Sequence, residues 1–465
     1  MFPLRTFFGP SLSNFKRFTP AIGSTALIVS LIGLSGCSES SKIDPAVTFG
    51  EEPTLVEPDS SLIPSVNIAS AVGWPEGEKP TTPLDSIQVN RFATDLNHPR
   101  WLYTLPNGDV LVAESNKPQK GQDDSGIKDW IAGKIMAKAG AGTPSADRIT
   151  LLRDADKDGV AETKTIFLQN LHSPFGMTLI GNTLYIANTD AVVSFPYQQG
   201  QTEITATATE LVKLPGGKLN HHWTKNLIAN KEGTKLYASI GSNSNIAENG
   251  FEAEIGRAAI WEIDIATGEH RVFASGLRNP VGMTWVNDTL WTAVNERDEL
   301  GNDLVPDYMT SVQENGFYGW PYSYYGQNID TRVEQREPEL VERAIKPDYA
   351  LGAHTASLGL MYTRGGHALN DISEGMFIGQ HGSWNREPKA GYKVIFVPFK
   401  DQQPAGKPID ILTGFLNQED EAQGRPVGVE FDKSGNLLVA DDVGNIIWRV
   451  SPSDSNVTHN LSSNE

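Results

Sequence analysis

A pair of adjacent histidines is the part of the sequence best suited to proton-transfer chemistry. His221 and His222 open the run His-His-Trp-Thr-Lys-Asn-Leu, which we interpret as strand-forming. Neighbouring side chains of a strand point to opposite faces, so only one of the two rings can face the interior. Histidine is the usual general base at neutral pH. The pair therefore indicates one candidate base, and the alternative is a histidine that only supports the structure.

Cationic side chains stand in two similar segments. Arg278, followed by Asn279, lies in Gly-Leu-Arg-Asn-Pro-Val-Gly, and Arg425 lies in Gly-Arg-Pro-Val-Gly. A third candidate, Arg386, ends Gly-Ser-Trp-Asn-Arg directly after Asn385. Guanidinium groups bind carboxylates through two parallel hydrogen bonds, so arginines that converge would form an anion-binding floor. The alternative is that these arginines occupy exposed turns.

Two acidic segments could bind a divalent cation. Residues 295–303 read Asn-Glu-Arg-Asp-Glu-Leu-Gly-Asn-Asp, whose carboxylates and carbonyls suit the oxygen preference of Ca²⁺. A solvated loop is the alternative interpretation of this segment. Asp154–Gly159 begins like an EF-hand loop, but its twelfth position is Thr165 rather than glutamate. We interpret this second segment as a β-turn, with weak Ca²⁺ binding as the alternative.

An aromatic run at 317–325, Phe-Tyr-Gly-Trp-Pro-Tyr-Ser-Tyr-Tyr, has two interpretations. Its rings could stack on a planar cofactor or a sugar, or they could wedge between structural units. The chain shows no Gly-x-Gly-x-x-Gly after a strand, no phosphate-binding loop, no serine elbow and no His-Glu-x-x-His. Nicotinamide, nucleotide and zincin chemistry are therefore disfavoured.

Six recurring segments would have to position these groups. They are Leu-Asn-His-Pro-Arg-Trp at 96, Leu-His-Ser-Pro-Phe-Gly-Met at 171, Leu-Asn-His-His-Trp-Thr at 219, Leu-Arg-Asn-Pro-Val-Gly-Met at 277, His-Thr-Ala-Ser-Leu-Gly-Leu at 354 and Gly-Arg-Pro-Val-Gly-Val at 424. We call these segments the leads. Most are followed by a tight turn and an alternating strand, such as Thr-Leu-Tyr-Ile-Ala after Gly181-Asn182. Propeller blades need roughly 40–50 residues plus loops. The pattern predicts an all-β, six-bladed β-propeller; an irregular β-sandwich is the alternative.

Composition excludes several classes of partner and site. The chain has 465 residues and a formal net charge of −19, which argues against nucleic acid and anionic lipid as partners of the main domain. It contains a single cysteine, so an internal disulfide and a thiolate metal site are both excluded.

The first residues predict a targeting segment. A basic pair precedes an apolar stretch, Ala21–Leu34, that is too short for a stable membrane span. The stretch ends in Leu-Ser-Gly-Cys, which resembles a bacterial lipobox. Residues 1–36 would then be a lipoprotein signal peptide and Cys37 the lipidated residue. By the same resemblance, Ser38 favours the outer membrane, and we expect membrane contact through the lipid alone, with the domain in the periplasm.

The rest of the domain plan follows from composition and spacing. Residues 37–85 are rich in Ser, Pro, Glu and Thr and predict a flexible tether. The propeller would occupy residues 86–452, and 453–465 would be a polar tail. Residues 115–147 interrupt the first blade as an inserted loop, within which 126–139 has apolar residues at helical spacing.

As an ordered set, these motifs resemble the soluble pyrroloquinoline-quinone (PQQ) sugar dehydrogenases, and above all their sorbosone dehydrogenase branch. The shared strings are Gly-Leu-Arg-Asn-Pro-Val-Gly at 276, Phe-Tyr-Gly-Trp-Pro at 317, His-His-Trp-Thr at 221, Gly-Ser-Asn-Ser-Asn at 241, Asn-Glu-Arg-Asp at 295 and His-Gly-Ser-Trp-Asn-Arg at 381. The resemblance implies a six-bladed propeller, in agreement with the repeat count. It also implies PQQ over the axis, with Ca²⁺ bridging the quinone and the protein.

The resemblance further implies roles for individual residues. His222 would be the general base, taking the proton of the substrate hydroxyl while hydride passes to the quinone. The cofactor-binding residues would be Arg278, Asn279, Arg425, Asn385 and Arg386. Glu296 would begin the calcium loop, with the backbone carbonyls of Arg297 and Asp298 as ligands.

Three positions depart from the glucose-oxidising members of that family. His221 replaces an aspartate before the base, Asn226 replaces an arginine, and Gln423 stands where a basic residue is usual. These changes fit the sorbosone-type branch better. We therefore expect a PQQ- and Ca²⁺-dependent dehydrogenase that oxidises an aldose or a sugar aldehyde such as sorbosone and passes electrons to a quinone or cytochrome. The alternatives are a Ca²⁺-dependent propeller hydrolase, such as a lactonase, and a non-catalytic binding propeller.

Overall fold

The computed structural model describes residues 40–59, 66–118, 140, 142–365, 369 and 372–453. Within them the regular structure is almost entirely β, with two 3₁₀ turns (Pro45–Thr48 and Phe251–Glu254) and a single short α-helix, α1 (Pro338–Glu342). Two strands precede the blades, β1 (Phe49–Gly50) and β2 (Ile87–Ala93).

Six antiparallel sheets follow in chain order and confirm the predicted six-bladed propeller. Blade 1 contains β3 (Pro99–Thr104), β4 (Val110–Glu114), β5 (Arg148–Arg153) and β6 (Thr163–Leu168). Blade 2 contains β7 (Met177–Ile180), β8 (Thr183–Ala187), β9 (Ala191–Pro196) and β10 (Thr209–Lys213). Blade 3 contains β11 (Leu227–Ala229), β12 (Lys235–Ile240), β13 (Ala259–Asp264) and β14 (His270–Ser275).

The later blades carry additional strands. Blade 4 contains β15 (Pro280–Val286), β16 (Thr289–Val294), β17 (Pro306–Ser311) and β20 (Tyr349–Ala353), and a small hairpin of β18 (Ser323–Tyr324) and β19 (Asn328–Ile329) lies between the last two. Blade 5 contains β21 (Ser357–Arg364), β22 (Glu374–Gln380), β23 (Lys393–Lys400), β24 (Gln403–Pro404) and β25 (Ile409–Leu412). Blade 6 contains β26 (Pro426–Phe431), β27 (Leu437–Asp441) and β28 (Ile446–Pro452).

The ring closes through a strand from the other end of the propeller sequence. β2 pairs antiparallel with β28 and forms the outer strand of blade 6, with Val89 opposite Val450. Separation of blade 6 from blade 1 would therefore require loss of these ladder bonds. Such closure protects strand edges that would otherwise be free to pair with other chains.

The six leads converge on one apolar cluster at the axis. Each blade contributes a buried residue that lies within the start of its inner strand or in the lead just before it: Trp101, Phe175, Trp223, Val281, Leu358 and Val427. Burial of large apolar side chains supplies most of the favourable free energy of such a core. The repeat in the sequence is thus a repeat of the residues that fill the axis, and the polar residues beside each lead are carried to the same place.

A polar residue at the end of the second strand fixes the lead in three of the blades. In blade 6, Asp441 Oδ1 accepts the backbone N–H of Arg425 at 2.8 Å. Glu114 and Asn188 accept lead N–H groups in the same way in blades 1 and 2. These bonds satisfy buried backbone donors that the inner strand cannot pair. They also fix the direction of the side chains next to the axis.

The expectation of a flexible tether at 37–85 is wrong for the part of that segment that the structure describes. β1 adds a fifth strand to blade 4, with Phe49 opposite Leu351. Trp74 packs edge-on against Trp448 at 5.2 Å between ring centroids, and its Nε1 donates to Asp441 Oδ2 at 2.7 Å. Composition suggested a solvated linker, but a few aromatic residues are enough to dock it onto the blades.

Several expectations fall outside the described residues. These are the signal peptide at 1–36, lipidation of Cys37, nearly all of the insert between 119 and 141 including the helical spacing at 126–139, and the tail from 454 onward. No helix in the described part of the chain has the length and apolarity needed to cross a membrane.

Candidate active site

Polar residues from five blades meet at one end of the propeller. They come from the leads, which enter the first strand of each blade, and from the loops that leave the second strand. These two strands are antiparallel, so the start of one and the end of the other lie at the same end of the blade. Every blade therefore offers two loops to a common axial site.

His222 lies in the lead of blade 3 and is held in a single tautomer. Its Nδ1 lies 2.9 Å from the carbonyl oxygen of Ser242 and 3.0 Å from Ser242 Oγ. The hydroxyl donates to Ser244 O at 2.6 Å, so both oxygens of Ser242 accept, and Nδ1 carries the proton. Burial, followed by the charge of Arg278, holds the pKa of His222 well below its usual range. The ring is therefore neutral, with its lone pair at Nε2.

A glycine is required beside this histidine. A Cβ at Gly241 would lie 2.5 Å from the Cβ of His222 and 2.4 Å from Asn279 Oδ1. The same glycine therefore lets the leads of blades 3 and 4 approach each other. Asn279 Oδ1 is buried without a hydrogen-bond partner among the described residues, so it lies next to the base as an unused acceptor.

The neighbouring His221 has a different environment. Its side chain is solvent-exposed, and its ring lies 4.6 Å from that of His222, nearly perpendicular to it. Although water reaches the ring, the protein surrounds most of it, and this desolvation, together with Lys117 and Arg278, lowers the pKa of His221 to about 4. The expected strand over this run begins only at Leu227, so the interpretation of 221–226 as strand is wrong, although only one of the two rings is built into the interior.

Arg278 is not an open anion-binding group. It is 1% exposed, and its guanidinium donates to Asn245 Oδ1 at 2.9 Å, to the carbonyls of Asn295 and Glu296, and to Asp298 Oδ2 at 3.2 Å. The interpretation as an anion-binding floor is therefore wrong for this residue in the described structure. Arg278 instead holds the acidic loop that leaves β16.

Arg425 has the opposite character. It is 4% exposed, and its one hydrogen bond from the guanidinium runs from Nη2 to the hydroxyl of Tyr392, at 2.9 Å. Its Nε is buried without a partner, and no carboxylate among the described residues forms an ion pair with it. A buried cation without a counter-ion is costly, because no opposite charge replaces the water that it has lost. Arg425 is thus suited to an anionic ligand.

The two blade 5 candidates differ from each other. Arg386 donates to the carbonyl oxygens of Asn302 and Pro388 and to Asp303, at 2.8 to 3.1 Å, so its expected role as a cofactor ligand is not supported. Asn385 donates from Nδ2 to Asp298 Oδ1 at 3.0 Å, while its own Oδ1 is buried without a described partner. Asn385 therefore keeps a free acceptor at the site.

The acidic loop 295–303 is held by hydrogen bonds from arginine side chains. The carbonyl oxygen of Glu296 accepts from Arg278, and that of Asp298 accepts from Arg297 Nε at 2.9 Å and Nη2 at 2.7 Å. Arg297 also forms a buried ion pair with Asp330. The expected calcium ligands Glu296, Arg297 and Asp298 are thus present in one loop, but the carbonyl oxygens of two of them are already bound.

The same loop contains an unusual set of ionisable groups. Burial would raise the pKa of Asp298, but His354, Arg278 and Asn385 lower it to about 2. His354 bridges Asp298 Oδ1, 3.4 Å from Nδ1, and the carbonyl of Gly301, 2.8 Å from Nε2. Although burial opposes it, Asp298 raises the pKa of His354. Burial raises the pKa of Glu296 to about 7.

A second cluster, which sequence reasoning missed, lies across the axis. Asp442 Oδ2 accepts from Arg100 Nη1 and from His381 Nε2, the latter at 2.8 Å, and His98 Nε2 lies 3.6 Å away. His381, His98 and Arg100 together hold the pKa of the Asp442 carboxyl far below its usual range despite burial. Burial, with help from Arg425 and Arg100, lowers the pKa of His381 to about 4, so its ring is neutral and donates from Nε2.

Their positions in the repeat could have identified these residues. His98 stands directly before the lead proline, as Asn279 and Arg425 do. Asp442 and His381 directly follow the second strands of their blades. Alignment of the leads by their prolines, rather than by the arginines alone, is therefore the signal that would have found them.

The aromatic run mainly supports the site from outside. Phe317 pairs in parallel with Ser275 at the edge of blade 3, and a Cβ at Gly276 would meet the Phe317 ring at 2.7 Å. Trp320 is buried, and its Nε1 donates to the carbonyl of Asn245 at 2.9 Å. Of the two interpretations, the contacts favour rings that wedge against a blade over rings that stack on a ligand.

The acidic turn Asp154–Glu162 joins β5 to β6, at the end of the propeller opposite the axial site. One carboxylate oxygen from each of Asp154, Asp156, Asp158 and Glu162 lies within 4.8 Å of the others. All four of these side chains accept backbone N–H groups of the same turn, such as Gly159 N to Asp154 Oδ2 at 3.0 Å. The hydrogen bonds match the expected β-turn.

Comparisons with known proteins agree with this architecture. A family model described as TrAA12-like matches residues 145–316 and 325–453. A PQQ-dependent pyranose dehydrogenase of Coprinopsis cinerea is 24% identical over 360 residues, covering 63% of this chain and 48% of that protein. An uncharacterised protein of Borreliella burgdorferi is 27% identical over 296 residues, covering 61% of this chain and 76% of that protein.

Two solved structures share the fold. The holo PQQ domain of the Coprinopsis cinerea pyranose dehydrogenase superposes with a TM-score of 0.63 at 19% identity, covering 83% of this chain and 100% of that one. A calcium structure of the Trichoderma reesei protein of carbohydrate-active enzyme family AA12 gives 0.64 at 18%, covering 84% and 99%. The match to the curated Coprinopsis protein spans about half of that protein's length.

Proposed function

Because the chain belongs to the TrAA12-like family, we propose that it is a PQQ-dependent sugar dehydrogenase. The membership confirms the resemblance to PQQ sugar dehydrogenases that the motifs indicated. The observation that carries the proposal is the axial pairing of a neutral His222, free at Nε2, with a buried arginine, Arg425, that has no counter-ion among the described residues. One group can accept a proton and the other can hold an anion.

The residues present fit a planar tricarboxylate such as PQQ. Arg425 Nε and Arg100 Nε are buried donors without a described partner, and Asn385 Oδ1 and Asn279 Oδ1 are buried acceptors without one. Arginine binds carboxylates in a geometry that lysine cannot reproduce. When bound, the quinone would supply the acceptor for the two electrons of the oxidation.

His222 would then act as the base. Its Nε2 would take the proton of a sugar hydroxyl, and the Ser242 carbonyl at Nδ1 would stabilise the positive charge that develops on the ring. Burial and Arg278 keep the free ring neutral, so it is ready to accept a proton at neutral pH. Asn279, whose Oδ1 lies next to the same glycine as His222, would orient the reacting group.

The finer substrate assignment is an aldose or a sugar aldehyde such as sorbosone. The exposed His221 lines the entrance beside the base, where a glucose-oxidising enzyme of the resembled family has aspartate. Gln423 donates to the carbonyl of Gly414, so its amide is engaged away from the axial site. Asn226 is 1% exposed, and its Nδ2 is buried without a described partner. His221 is therefore the departure on which the substrate proposal depends.

We also propose that the protein is lipid-anchored at Cys37 with its domain in the periplasm, because the stretch that ends in Leu-Ser-Gly-Cys resembles a bacterial lipobox. A lipid on Cys37 would favour a membrane quinone over a soluble cytochrome as electron acceptor, and mass spectrometry of the purified protein tests for the lipid.

The decisive test of the proposed function is reconstitution. Metal-free and cofactor-free protein is titrated with PQQ while tryptophan fluorescence is recorded, and dye reduction is then measured with a panel of aldoses and sugar aldehydes. We expect micromolar or tighter binding and reduction by at least one sugar. Absence of PQQ binding at micromolar concentration would overturn the dehydrogenase, and hydrolysis of lactones by the same protein would support the hydrolase alternative.

A further inference from the structure

We propose that two arginines of the chain, Arg278 and Arg297, neutralise and bind the acidic loop of the axial site in place of a calcium ion. The inference rests on the proposed function, since it concerns how PQQ would be bound. The resemblance to PQQ sugar dehydrogenases assigned Ca²⁺ to the loop that starts at Glu296. The structure shows what occupies those oxygens instead.

The first occupied oxygen is the backbone carbonyl of Glu296, the residue that begins the expected calcium loop. Arg278 Nη1 donates to it and also to the carbonyl of Asn295, at 3.3 Å. Asn245 accepts from two further nitrogens of the same guanidinium, at 2.9 and 3.4 Å. With 1% of the side chain exposed, Arg278 has neither water nor space into which it could withdraw.

The second occupied ligand is the carbonyl oxygen of Asp298. Arg297 folds back on it with Nε at 2.9 Å and Nη2 at 2.7 Å, and Asn245 Nδ2 adds a third donor at 3.3 Å. The remaining nitrogen of Arg297 pairs with Asp330, and both of these side chains are at most 2% exposed. To free the Asp298 carbonyl, Arg297 would have to leave a buried carboxylate unpaired.

The carboxylate of Asp298 is occupied as well. Oδ2 accepts from Arg278 at 3.2 Å, while Oδ1 accepts from Asn385 at 3.0 Å and lies 3.4 Å from His354 Nδ1. Calcium takes six to eight oxygen ligands at about 2.3–2.6 Å. Of the two carbonyls that the resemblance assigned as ligands, that of Arg297 accepts no hydrogen bond from the described residues, whereas that of Asp298 is taken by Arg297. Because the Glu296 carbonyl and the Asp298 carboxylate are also taken, the loop does not offer such a set.

The arginines can supply what the ion would supply. Arg278 and Arg297 place two fixed positive charges in the loop, and each is preorganised by its own acceptors rather than by water. Arg278 pairs with Asp298 and Arg297 with Asp330, so an anionic cofactor over the axis would meet a loop in which these carboxylates are already neutralised. The difference is that this loop would need no metal from solution.

The test is a PQQ titration of wild-type protein stripped with EGTA, with and without added Ca²⁺, read by tryptophan fluorescence. We expect the two dissociation constants to agree within about twofold. A Ca²⁺-induced tightening of about tenfold or more, reversed by EGTA, overturns the inference. Protein that binds no PQQ in either condition overturns the proposed function instead.

In that last case, direct calorimetry with Ca²⁺ still decides the inference. The acidic turn at the opposite end of the propeller is a separate source of signal. The experiment therefore uses the double variant Asp156→Asn and Asp158→Asn, which disables that turn and leaves the axial loop intact. No heat of Ca²⁺ binding in this variant supports the inference, and a saturable site in it contradicts the inference.

A matched pair of variants sharpens the result. Arg297→Met removes the cation from the Asp298 carbonyl and from Asp330, so PQQ binding should weaken and become responsive to Ca²⁺. Arg336→Met is the control, because Arg336 donates to the backbone carbonyl of Asp330 from an exposed position. It should behave as wild type. If Arg297→Met does not fold, the wild-type titration still decides between the outcomes.

Discussion

The two halves of the axial site use their arginines in opposite ways. In the half built by blades 3 and 4, Arg278 and Arg297 donate to carbonyl and carboxylate oxygens of one loop. In the half built by blades 5, 6 and 1, Arg425 has no carboxylate partner among the described residues, and Arg100, although it pairs with Asp442, also keeps a buried Nε without a described partner. A satisfied guanidinium stabilises the fold, whereas an unsatisfied one is stabilised when a ligand arrives. We infer that the arginines of the first half support the structure and that Arg425 in the second half binds the ligand.

The difference follows from a one-residue shift in the position of the arginine relative to the lead proline. Arg425 stands directly before Pro426, whereas Arg278 stands two residues before Pro280, and Asn279 takes the place that Arg425 has in blade 6. Adjacent side chains near a strand point in opposite directions. One arginine is therefore directed to the loop of its own blade and the other to the axis.

Removal of the base tests the role of the first half most severely. His222→Ala should lower turnover by about 10²–10⁴-fold, the usual contribution of a general base, while PQQ affinity stays near that of wild type. Single-turnover reduction of bound PQQ by a sugar measures the chemical step apart from binding. The control is His172→Ala, at an exposed position in the lead of blade 2. A larger loss in His381→Ala than in His222→Ala would move the base to the other half.

The free energy of unfolding should distinguish Arg278 from Arg425. Arg278→Met should lower the free energy of unfolding by about 3–5 kcal/mol, because it breaks the buried ion pair with Asp298 and leaves Asn245 Oδ1 and the carbonyl of Glu296 without this donor. Arg425→Met deletes the same chemical group, but the group has no counter-ion among the described residues, so the loss should stay below about 1 kcal/mol. Urea denaturation of both variants in the absence of PQQ measures the contrast. Equal losses would contradict the division of the site into a supporting and a binding half.

For PQQ affinity, we expect the larger loss at Arg425, the reverse of the order expected for stability. Arg425→Met should weaken PQQ binding by about 10–100-fold, as expected for loss of a charge-assisted hydrogen bond. The matched control is Arg386→Met, because that guanidinium is used by Asn302, Asp303 and Pro388. Fluorescence titration of the folded variants measures both constants. A loss in Arg386→Met as large as that in Arg425→Met would mean that blade 5 also binds the cofactor through its arginine.

The sequence predicted the fold because each blade is specified locally. The leads, the tight turns and the alternating strands all lie within one blade, so six repeats could be recognised without knowledge of their contacts. The structural role of Arg278 could not be predicted from its own blade segment, because its partners Asn245 and Asp298 come from two other loops. The docking of residues 40–59 and 66–85 was missed for the same reason: the groove that receives Trp74 is formed by residues near the other end of the propeller sequence.

The smallest predicted effect is a pH dependence of the supporting half. Folding raises the pKa of His354, so its stabilising charge is fully present below about pH 6.5 and is lost as the pH rises through the raised value. The low pKa of Asp298, about 2, keeps the partner charged until strongly acidic pH. The stability advantage of wild type over His354→Gln should therefore shrink on the alkaline side, by about 1.4 kcal/mol for each unit of the elevation.

Urea midpoints measured across this range, for wild type and His354→Gln, test the effect. His270→Gln is the control, because His270 lies exposed on the outer strand of blade 3, stacked on Trp261 at 4.1 Å. Its curve should run parallel to that of wild type at every pH. If the His354→Gln curve also runs parallel, folding does not change the pKa of His354, and the predicted stabilising charge pair with Asp298 is wrong.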